Sequence, residues 1–175
     1  AEDVVARARL LGLPAARLGE THAAEPRVRR CGLPGEREDV LVADLTSMWA
    51  GPLCAQLLGR IGATVVKVES PTRPDGTRRG DPAFFDWMNS GKLSYAIDFD
   101  RDRKKLARLL AAADVVLEGS RPAALARRDL GPCDTTGRPG RVWVRITGYG
   151  TDPDRADRVA FGDDAAVAGG LVGYD

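Results

Sequence analysis

The stretch DVLVADLTSMWAGPLCAQLLGRIGATVVKVE, residues 39–69, decides the fold, because it places a helical pattern between two short apolar runs. The runs, Val40–Leu45 and 63–69, are typical of strands buried on both faces of a parallel sheet. Between them, Pro52 lies where a helix tolerates proline, in its first turn, and Gly62 marks the end of the helix. One helix face is apolar and is predicted to be buried: Leu53, Leu57, Leu58 and Ile61. The stretch therefore predicts a strand–helix–strand unit with parallel strands.

The same alternation of strand and helix continues to residue 148. Strands are predicted at Val40–Leu45, Val65–Val68, Ser94–Ile97, Val115–Leu117 and Val142–Ile146. Asp100 is predicted to cap a helix over 101–112, and a turn at 118–122 leads into a short helix that holds Arg127 and Arg128. The pattern predicts an α/β fold, a Rossmann-like parallel sheet with flanking helices, with ligands bound beyond the carboxyl ends of the strands.

The remaining segments have weaker signals. Residues 2–18 have an apolar spacing that predicts a short helix, interrupted at Gly12-Leu13-Pro14. Residues 19–38 are polar, rich in Pro and Gly, and predict a linker. Residues 70–91 predict a long surface loop, and 149–164 a polar, Gly/Asp-rich tail. We therefore expect two parts: an N-terminal helix and linker over 1–38, and a Rossmann-like region over 39–175.

Composition narrows the range of functions. The chain of 175 residues has 26 Lys and Arg against 25 Asp and Glu, so its net charge gives no argument for nucleic acid or an anionic membrane surface as a partner. Three scattered cysteines form neither a disulfide framework nor a metal-binding pair, as expected of thiols in a reducing cytoplasm. The first methionine is Met48, and the sequence stops in a Gly-rich apolar stretch, so we expect a fragment of a longer chain.

Neither GxGxxG nor GxxxxGK[ST] follows a predicted strand, which argues against an ordinary dinucleotide or nucleoside-triphosphate site. Five blocks instead resemble, in the same order, those of family III (CaiB/BaiF-type) coenzyme A transferases. They are VLVADLTSMWAGPLCAQLLGRIGATVVKVESP (40–71), FFDWMNSGKLSYAIDF (84–99), ADVVLEGSRPAAL (113–125), VWVRITGYG (142–150) and RVAFGDDAAVAGGL (158–171). Residues 1–38 lie outside the resemblance.

The resemblance implies a reaction in which CoA moves from an acyl-CoA to a carboxylic acid. In this family an aspartate attacks the thioester, and the resulting anhydride becomes an aspartyl-CoA thioester that exchanges with the acceptor acid. The family's aspartate lies in a G/A-D-x-x-x-G segment after the last block, so we assign no catalytic residue to this chain and expect it to be inactive alone. The resemblance further implies CoA as substrate rather than cofactor, a cytoplasmic location and, at full length, an interlocked homodimer.

The resemblance also implies CoA-binding positions. Trp49 and Ala50 fall on the loop at the thioester end, and Trp49 stands where several transferases have Gln. Ser70 falls where an Arg often contacts phosphate, and Asp163 lies beside Gly162, where the family has an acid. The family's backbone segment near the adenine corresponds to Ile97, Asp98, Phe99 and Asp100. The loop that flanks the nucleotide corresponds to Gly119, Ser120 and Arg121. A basic residue that contacts phosphate corresponds to Arg127. Arginine suits this task because its guanidinium matches phosphate oxygens.

Two alternatives stay open. A racemase of the same family needs an acid/base pair with a His in the last block, where this chain has Phe161, and its one histidine is His22 in the predicted linker. The other alternative is a CoA-binding module without catalysis, which the residues present would also satisfy.

Overall fold

A computed structural model describes residues 2–25, 38–121 and 123–173. Within the predicted linker, residues 26–37 lie outside the described residues, as does Pro122 of the predicted turn. Contacts divide the chain into two compact units, residues 35–146 and a second unit made of 1–34 and 147–175. No helix in the described part of the chain is long and apolar enough to cross a membrane.

The larger unit contains a five-stranded sheet in which every pairing is parallel, and this confirms the predicted fold class. The order is β3-β2-β1-β4-β5. The strands are β1 Leu41–Leu45, β2 Thr64–Glu69, β3 Leu93–Ala96, β4 Val115–Glu118 and β5 Val142–Arg145. In the register, Ala43 of the central strand pairs with Val66 on one side and Val116 on the other.

The larger unit holds the helices α2 Ala50–Arg60, α3 Pro82–Asn89, α4 Arg103–Ala112 and α5 Ala123–Ala126, with a 3-10 helix at Gly76–Arg79; α1 Glu2–Leu10 and α6 Gly162–Ala168 belong to the smaller unit. Helices α2 and α4 pack on opposite faces of the sheet. Alternate side chains of β1 point to opposite faces. Ala43 packs into a cluster with Leu106 and Leu110 of α4, whereas Val42 packs with Ala55 of α2. This double burial explains why β1 is apolar at successive positions.

Several predicted helices are wrong in extent. The first helix ends at Leu10, just before the predicted interruption, where Gly12 has a left-handed φ of 71°, and it does not resume between residues 13 and 18. The segment 70–91 is not a plain loop, because it holds the 3-10 helix and α3. The Asp81 carboxylate accepts a hydrogen bond from the Ala83 N–H, which starts α3. Helix α6 likewise begins inside the segment predicted as a tail.

Two predicted details of the sheet-flanking helices also need correction. Asp100 does not cap α4. Asp98 organises this turn, because its Oδ1 accepts from the N–H groups of Asp100 and Arg101 at 2.9 Å. Helix α5 ends at Ala126, so Arg127 and Arg128 follow it rather than lie in it. In α2, two side chains predicted to be buried are exposed, Leu57 at 52% and Ile61 at 82%.

The smaller unit has its own contacts. Tyr149 lies between two guanidinium groups, those of Arg9 and Arg158, at 5.8 and 5.5 Å from the ring centre. Its hydroxyl lies 3.3 Å from the Asp164 carboxylate; burial, followed by the charge of Asp164, raises the pKa of Tyr149. Asp164 also accepts from the Phe161 N–H at the start of α6, while the neighbouring Asp163 is exposed.

Candidate functional site

The candidate site is a crevice at the carboxyl edge of the sheet between β1 and β4. The chain leaves β1 toward β2 on one side and later returns to β4 on the other, so the strand order reverses here. Such a reversal is where open α/β sheets bind ligands. Thr46 follows β1 and Gly119 follows β4, and a Cβ placed on Gly119 would lie 3.3 Å from the Thr46 Cβ. The lack of a side chain at Gly119 therefore lets the two loops approach closely.

The loop after β1 is fixed from below by a buried ion pair. The Lys67 Nζ lies 2.9 Å from the Asp75 carboxylate, and their side chains are 2% and 0% exposed. Lys67 also donates to the Thr46 carbonyl at 2.9 Å. The Met48 N–H donates to the other Asp75 oxygen at 3.1 Å, which supports the left-handed φ of 75° at Met48. The pair thus orients the backbone that presents Trp49.

A second carboxylate extends this network outward. Glu69 accepts from the Asp75 N–H at 2.9 Å and from two guanidinium nitrogens of Arg78, at 2.9 and 2.5 Å. The hydrogen bond from Arg78 holds the pKa of Glu69 below its ordinary value, although burial opposes it. Burial alone would raise the pKa of Asp75, but hydrogen bonds from Lys67 and Thr77 outweigh it, and that pKa is also lowered. Both groups are therefore carboxylates at neutral pH.

A second buried ion pair holds α2 and α3 to the sheet. The Lys92 Nζ lies 2.9 Å from the Asp44 carboxylate and donates to the Pro52 carbonyl at 2.9 Å. Asp44 also accepts from the N–H and hydroxyl of Thr46. Burial lowers the pKa of Lys92, and the charge of Asp44 opposes that shift. The start of α2 is thus fixed relative to β1. Position 51 accommodates only glycine, because a Cβ there would lie 2.2 Å from the Thr46 side chain.

The loop after β4 is built differently. Glu118, 1% exposed, is satisfied by two groups from β5: the Trp143 indole N–H at 2.9 Å and the Arg145 guanidinium at 3.1 Å. The Ser120 hydroxyl is 3.4 Å from the same carboxylate. Beyond it, the chain carries arginines of two kinds.

Of the arginines in the segment from Arg121 to Arg128, one is paired with an acid and two are not. Arg128 makes a two-pronged contact with Asp100 at 2.6 and 2.9 Å, and the neighbouring Asp129 lies 2.7 Å from Arg103 of α4. Arg121 and Arg127 are exposed, and neither side chain makes a hydrogen bond or ion pair with the residues that the structure describes. The edge after β4 thus carries two guanidinium groups with their donors available.

The structure brings several predicted site residues together at this edge. Gly119 lies against the loop that leads to Trp49 and Ala50, and the pair Arg128–Asp100 connects the segment after β3 to the segment after α5. Trp49 is 59% exposed. Ile97 is buried and Phe99 packs on the core, while the side chains of Asp98 and Asp100 both accept hydrogen bonds.

Two predicted site residues are less clearly connected to the crevice. The Ser70 hydroxyl pairs with that of Thr72 at 2.9 Å, in the turn after β2. Asp163 belongs to the other compact unit. A role for either residue in binding stays a prediction.

Sequence reasoning missed the buried charges that hold the crevice in place, namely Asp44, Lys67, Glu69, Asp75 and Lys92. A signal was present in part: Asp44 and Lys67 each interrupt a run of apolar residues in a strand buried on both faces. A charge at such a position has to be paired, because burying it alone is very unfavourable. The partners Asp75 and Lys92 had no comparable signal, since they lie in a polar segment.

The fold and its crevice define an α/β protein of the kind that binds nucleotides at a switch point. The sequence model of CoA-transferase family III matches residues 38–175, and the chain belongs to this family. It is 32% identical over 148 residues to a succinyl-CoA–D-citramalate CoA-transferase of Chloroflexus aurantiacus. It is 36% identical over 128 residues to a probable fatty acyl-CoA transferase, Rv3272, of Mycobacterium tuberculosis. These alignments cover 79% and 67% of this chain but 37% and 32% of the relatives, so the chain spans about a third of their length.

Solved structures agree with this assignment. A CAIB/BAIF family protein from Brucella suis superposes with a TM-score of 0.65 at 32% identity, over 75% of this chain and 38% of that one. Rv3272 superposes with a TM-score of 0.63 at 33% identity, over 74% of this chain and 38% of its own.

Proposed function

We propose that this protein binds acyl-CoA at the crevice between β1 and β4 and serves the transfer of CoA from an acyl-CoA donor to a carboxylic acid. The observation that carries the proposal is the pair of exposed arginines, Arg121 and Arg127, beyond the strand-order reversal of a chain in CoA-transferase family III. CoA carries several phosphate charges, and unpaired guanidinium groups are the side chains best matched to them.

In this proposal each loop meets a different part of CoA. Arg121 and Arg127 contact phosphates, while Gly119 and Ser120 flank the nucleotide. The adenine lies near the backbone of 97–100. Trp49 and Ala50 line the end that carries the thioester, with Ser70 at the turn after β2. Asp163 is proposed as the acidic contact from the last family block.

The chemical step in this proposal is nucleophilic catalysis by an aspartate. Its carboxylate attacks the thioester carbonyl and releases CoA thiolate, which then attacks the mixed anhydride to give an aspartyl-CoA thioester and the free acid. The acceptor carboxylate reverses these steps with its own acyl group. We assign this aspartate to no residue of the present chain, and we place the working protein in the cytoplasm as a homodimer.

A chimera tests this function. Residues 38–173 would replace the corresponding segment of Rv3272, and acyl exchange would be followed with several acyl-CoAs and acids. The proposal expects turnover well above that of Rv3272 lacking the segment. A chimera that binds CoA, judged by calorimetry, but shows no exchange would contradict a transferase role for this segment.

The second candidate is a CoA-binding module without catalysis. It is favoured by the set of site residues assigned in this chain, which would all contact CoA and include no nucleophile. The same chimera separates the two, since a module of this kind predicts CoA binding without acyl exchange.

A further inference from the structure

A row of three aromatic side chains starts in the loop after β1, with two exposed tryptophans on either side of a half-buried phenylalanine. Trp49 and Phe84 have ring centres 5.3 Å apart, and Phe84 and Trp87 have ring centres 6.2 Å apart. Trp49 is 59% exposed and Trp87 50%, and Met48, 48% exposed, precedes Trp49. We call Trp49, Phe84 and Trp87 the aromatic strip.

The aromatic strip is held in its exposed position by the surrounding structure. Trp49 follows Met48, whose N–H is bound by the buried Asp75, and it immediately precedes α2. Trp87 is fixed through its carbonyl, which accepts a hydrogen bond from Gln56 of α2. Exposing two tryptophan rings beside a half-buried phenylalanine has an unfavourable solvation free energy, so a surface of this kind indicates an apolar binding partner.

The position of the aromatic strip suggests which part of a ligand it meets. Arg121 and Arg127 follow β4, on one side of β1, whereas α3 follows β2, on the other side. A molecule with phosphates at the arginines therefore reaches the aromatic strip with its opposite end. In an acyl-CoA that end is the acyl group.

Space and charge at the far end of the aromatic strip agree with an apolar group. A cavity of about 570 Å³ opens there, with Trp87, Phe85 and Gln56 among its lining residues. Arg60 and Asp86 also line it, so this cavity offers no net charge that would select an acidic acyl group. Along the strip itself, from Trp49 to Trp87, the rings are apolar.

We infer that this protein selects acyl-CoAs whose acyl group is apolar, aromatic or medium-chain alkyl, in preference to short dicarboxylic groups such as succinyl. The inference rests on the proposed function. Burial of an alkyl chain or a phenyl ring against the aromatic strip favours binding, whereas a succinyl carboxylate placed there loses water and finds beside it an Arg60 whose charge is offset by Asp86.

Calorimetric titration of CoA, succinyl-CoA, octanoyl-CoA and phenylacetyl-CoA into the chain tests the inference. We expect octanoyl-CoA and phenylacetyl-CoA to bind about tenfold or more tightly than succinyl-CoA. In the Trp49→Ala variant the preference is expected to fall to about twofold, because the affinities for octanoyl-CoA and phenylacetyl-CoA drop more than the affinity for free CoA. Trp49→Gln, which keeps much of the side-chain volume, is expected to lose the preference too, and Ile61→Ala, at a site 82% exposed on α2, is expected to keep it.

The outcomes separate this inference from the function on which it depends. Equal affinities for all four compounds would overturn the inference and leave CoA binding standing. Equal weakening of CoA and the acyl-CoAs by Trp49→Ala would place the nucleotide, not the acyl group, on the aromatic strip and would also overturn it. Binding of none of the four would overturn the proposed function together with the inference.

Discussion

The two sides of the crevice use charge in opposite ways. The side after β1 and β2 holds two buried ion pairs: Lys67 with Asp75 and Lys92 with Asp44 are each at most 3% exposed. After β4, Arg121 and Arg127 are exposed and contact no acid in the described part of the chain. We infer from this difference that the charges after β1 and β2 hold the backbone in place, whereas the arginines after β4 are available to bind an anion.

The division has an energetic basis. A buried ion pair recovers its desolvation penalty only when its geometry is good and its remaining hydrogen bonds are made, and removing one partner leaves an uncompensated charge. An exposed arginine stays hydrated and carries no such desolvation penalty, so replacing it changes the free energy of unfolding little. Substitutions on the first side should therefore act on folding, and those on the second side on binding.

The largest effect is expected from Lys67→Met. The substitution leaves the Asp75 carboxylate buried without its cation, and the free energy of unfolding should fall by about 3–5 kcal/mol. Urea denaturation measures the loss. Arg103→Ala, which breaks the exposed pair with Asp129, is the matched control and should cost about 0.5 kcal/mol or less. Losses of similar size for both variants would remove the distinction between the two sides.

A somewhat smaller loss is expected from Gly51→Ala. The added Cβ would lie 2.2 Å from Thr46, so the junction of β1 and α2 has to shift, and the free energy of unfolding should fall by about 2–3 kcal/mol. Gly59→Ala in the same helix meets only a Val65 methyl at 3.5 Å and should be neutral or stabilising by up to about 1 kcal/mol. If both substitutions are harmless in thermal unfolding, the close packing of Gly51 on Thr46 is incorrect.

The next largest effect is expected from acid, which should lower the free energy of unfolding through Glu69 and Asp75. The pKa values of Glu69 and Asp75 in the folded protein lie below their ordinary values of 4.5 and 3.8. Their stabilisation is therefore fully present above those values and is lost as the pH falls through the lower folded values. We expect a loss of about 2 kcal/mol, reduced by the exposure of Arg78.

Urea midpoints measured from pH 6 down to about pH 2.5 check this dependence. Glu69→Gln should flatten the profile, because it removes one of the two titrating groups. A profile that is equally steep in the variant would show that other carboxylates govern acid unfolding.

Much of the fold could be predicted from the sequence because its strands are apolar at successive positions. Few folds bury a strand on both faces, and a parallel sheet between two layers of helices is the main one. In β1, Val42 and Ala43 pack into different core clusters. The extents of the helices were harder: α3 lies in a polar, Gly- and Pro-rich segment, and its start depends on the single Asp81 cap. Asp98 and Asp100 are both acidic residues near the start of α4, so the sequence does not show which of them accepts the hydrogen bonds of the turn.

The candidate site was predictable where chain order alone decides it. Gly119 and the loop after β1 meet because parallel strands end at the same edge. The partners of Lys67 and Asp44 were not predictable, since Asp75 and Lys92 reach them through tertiary packing that leaves no periodic pattern. Likewise, nothing in the sequence distinguishes the paired Arg128 from the free Arg127 beside it.

The central claim is that Arg121 and Arg127 bind the phosphates of CoA, and calorimetric titration of CoA tests it most directly. The Arg121→Ala, Arg127→Ala double variant should bind about tenfold or more weakly at low salt, with a smaller difference at high salt and an unchanged free energy of unfolding. Lys104→Ala with Arg108→Ala removes the same charge from exposed positions on α4 and should leave the affinity nearly unchanged. Equal CoA affinity for the parent chain and the Arg121, Arg127 double variant at low salt would contradict the claim.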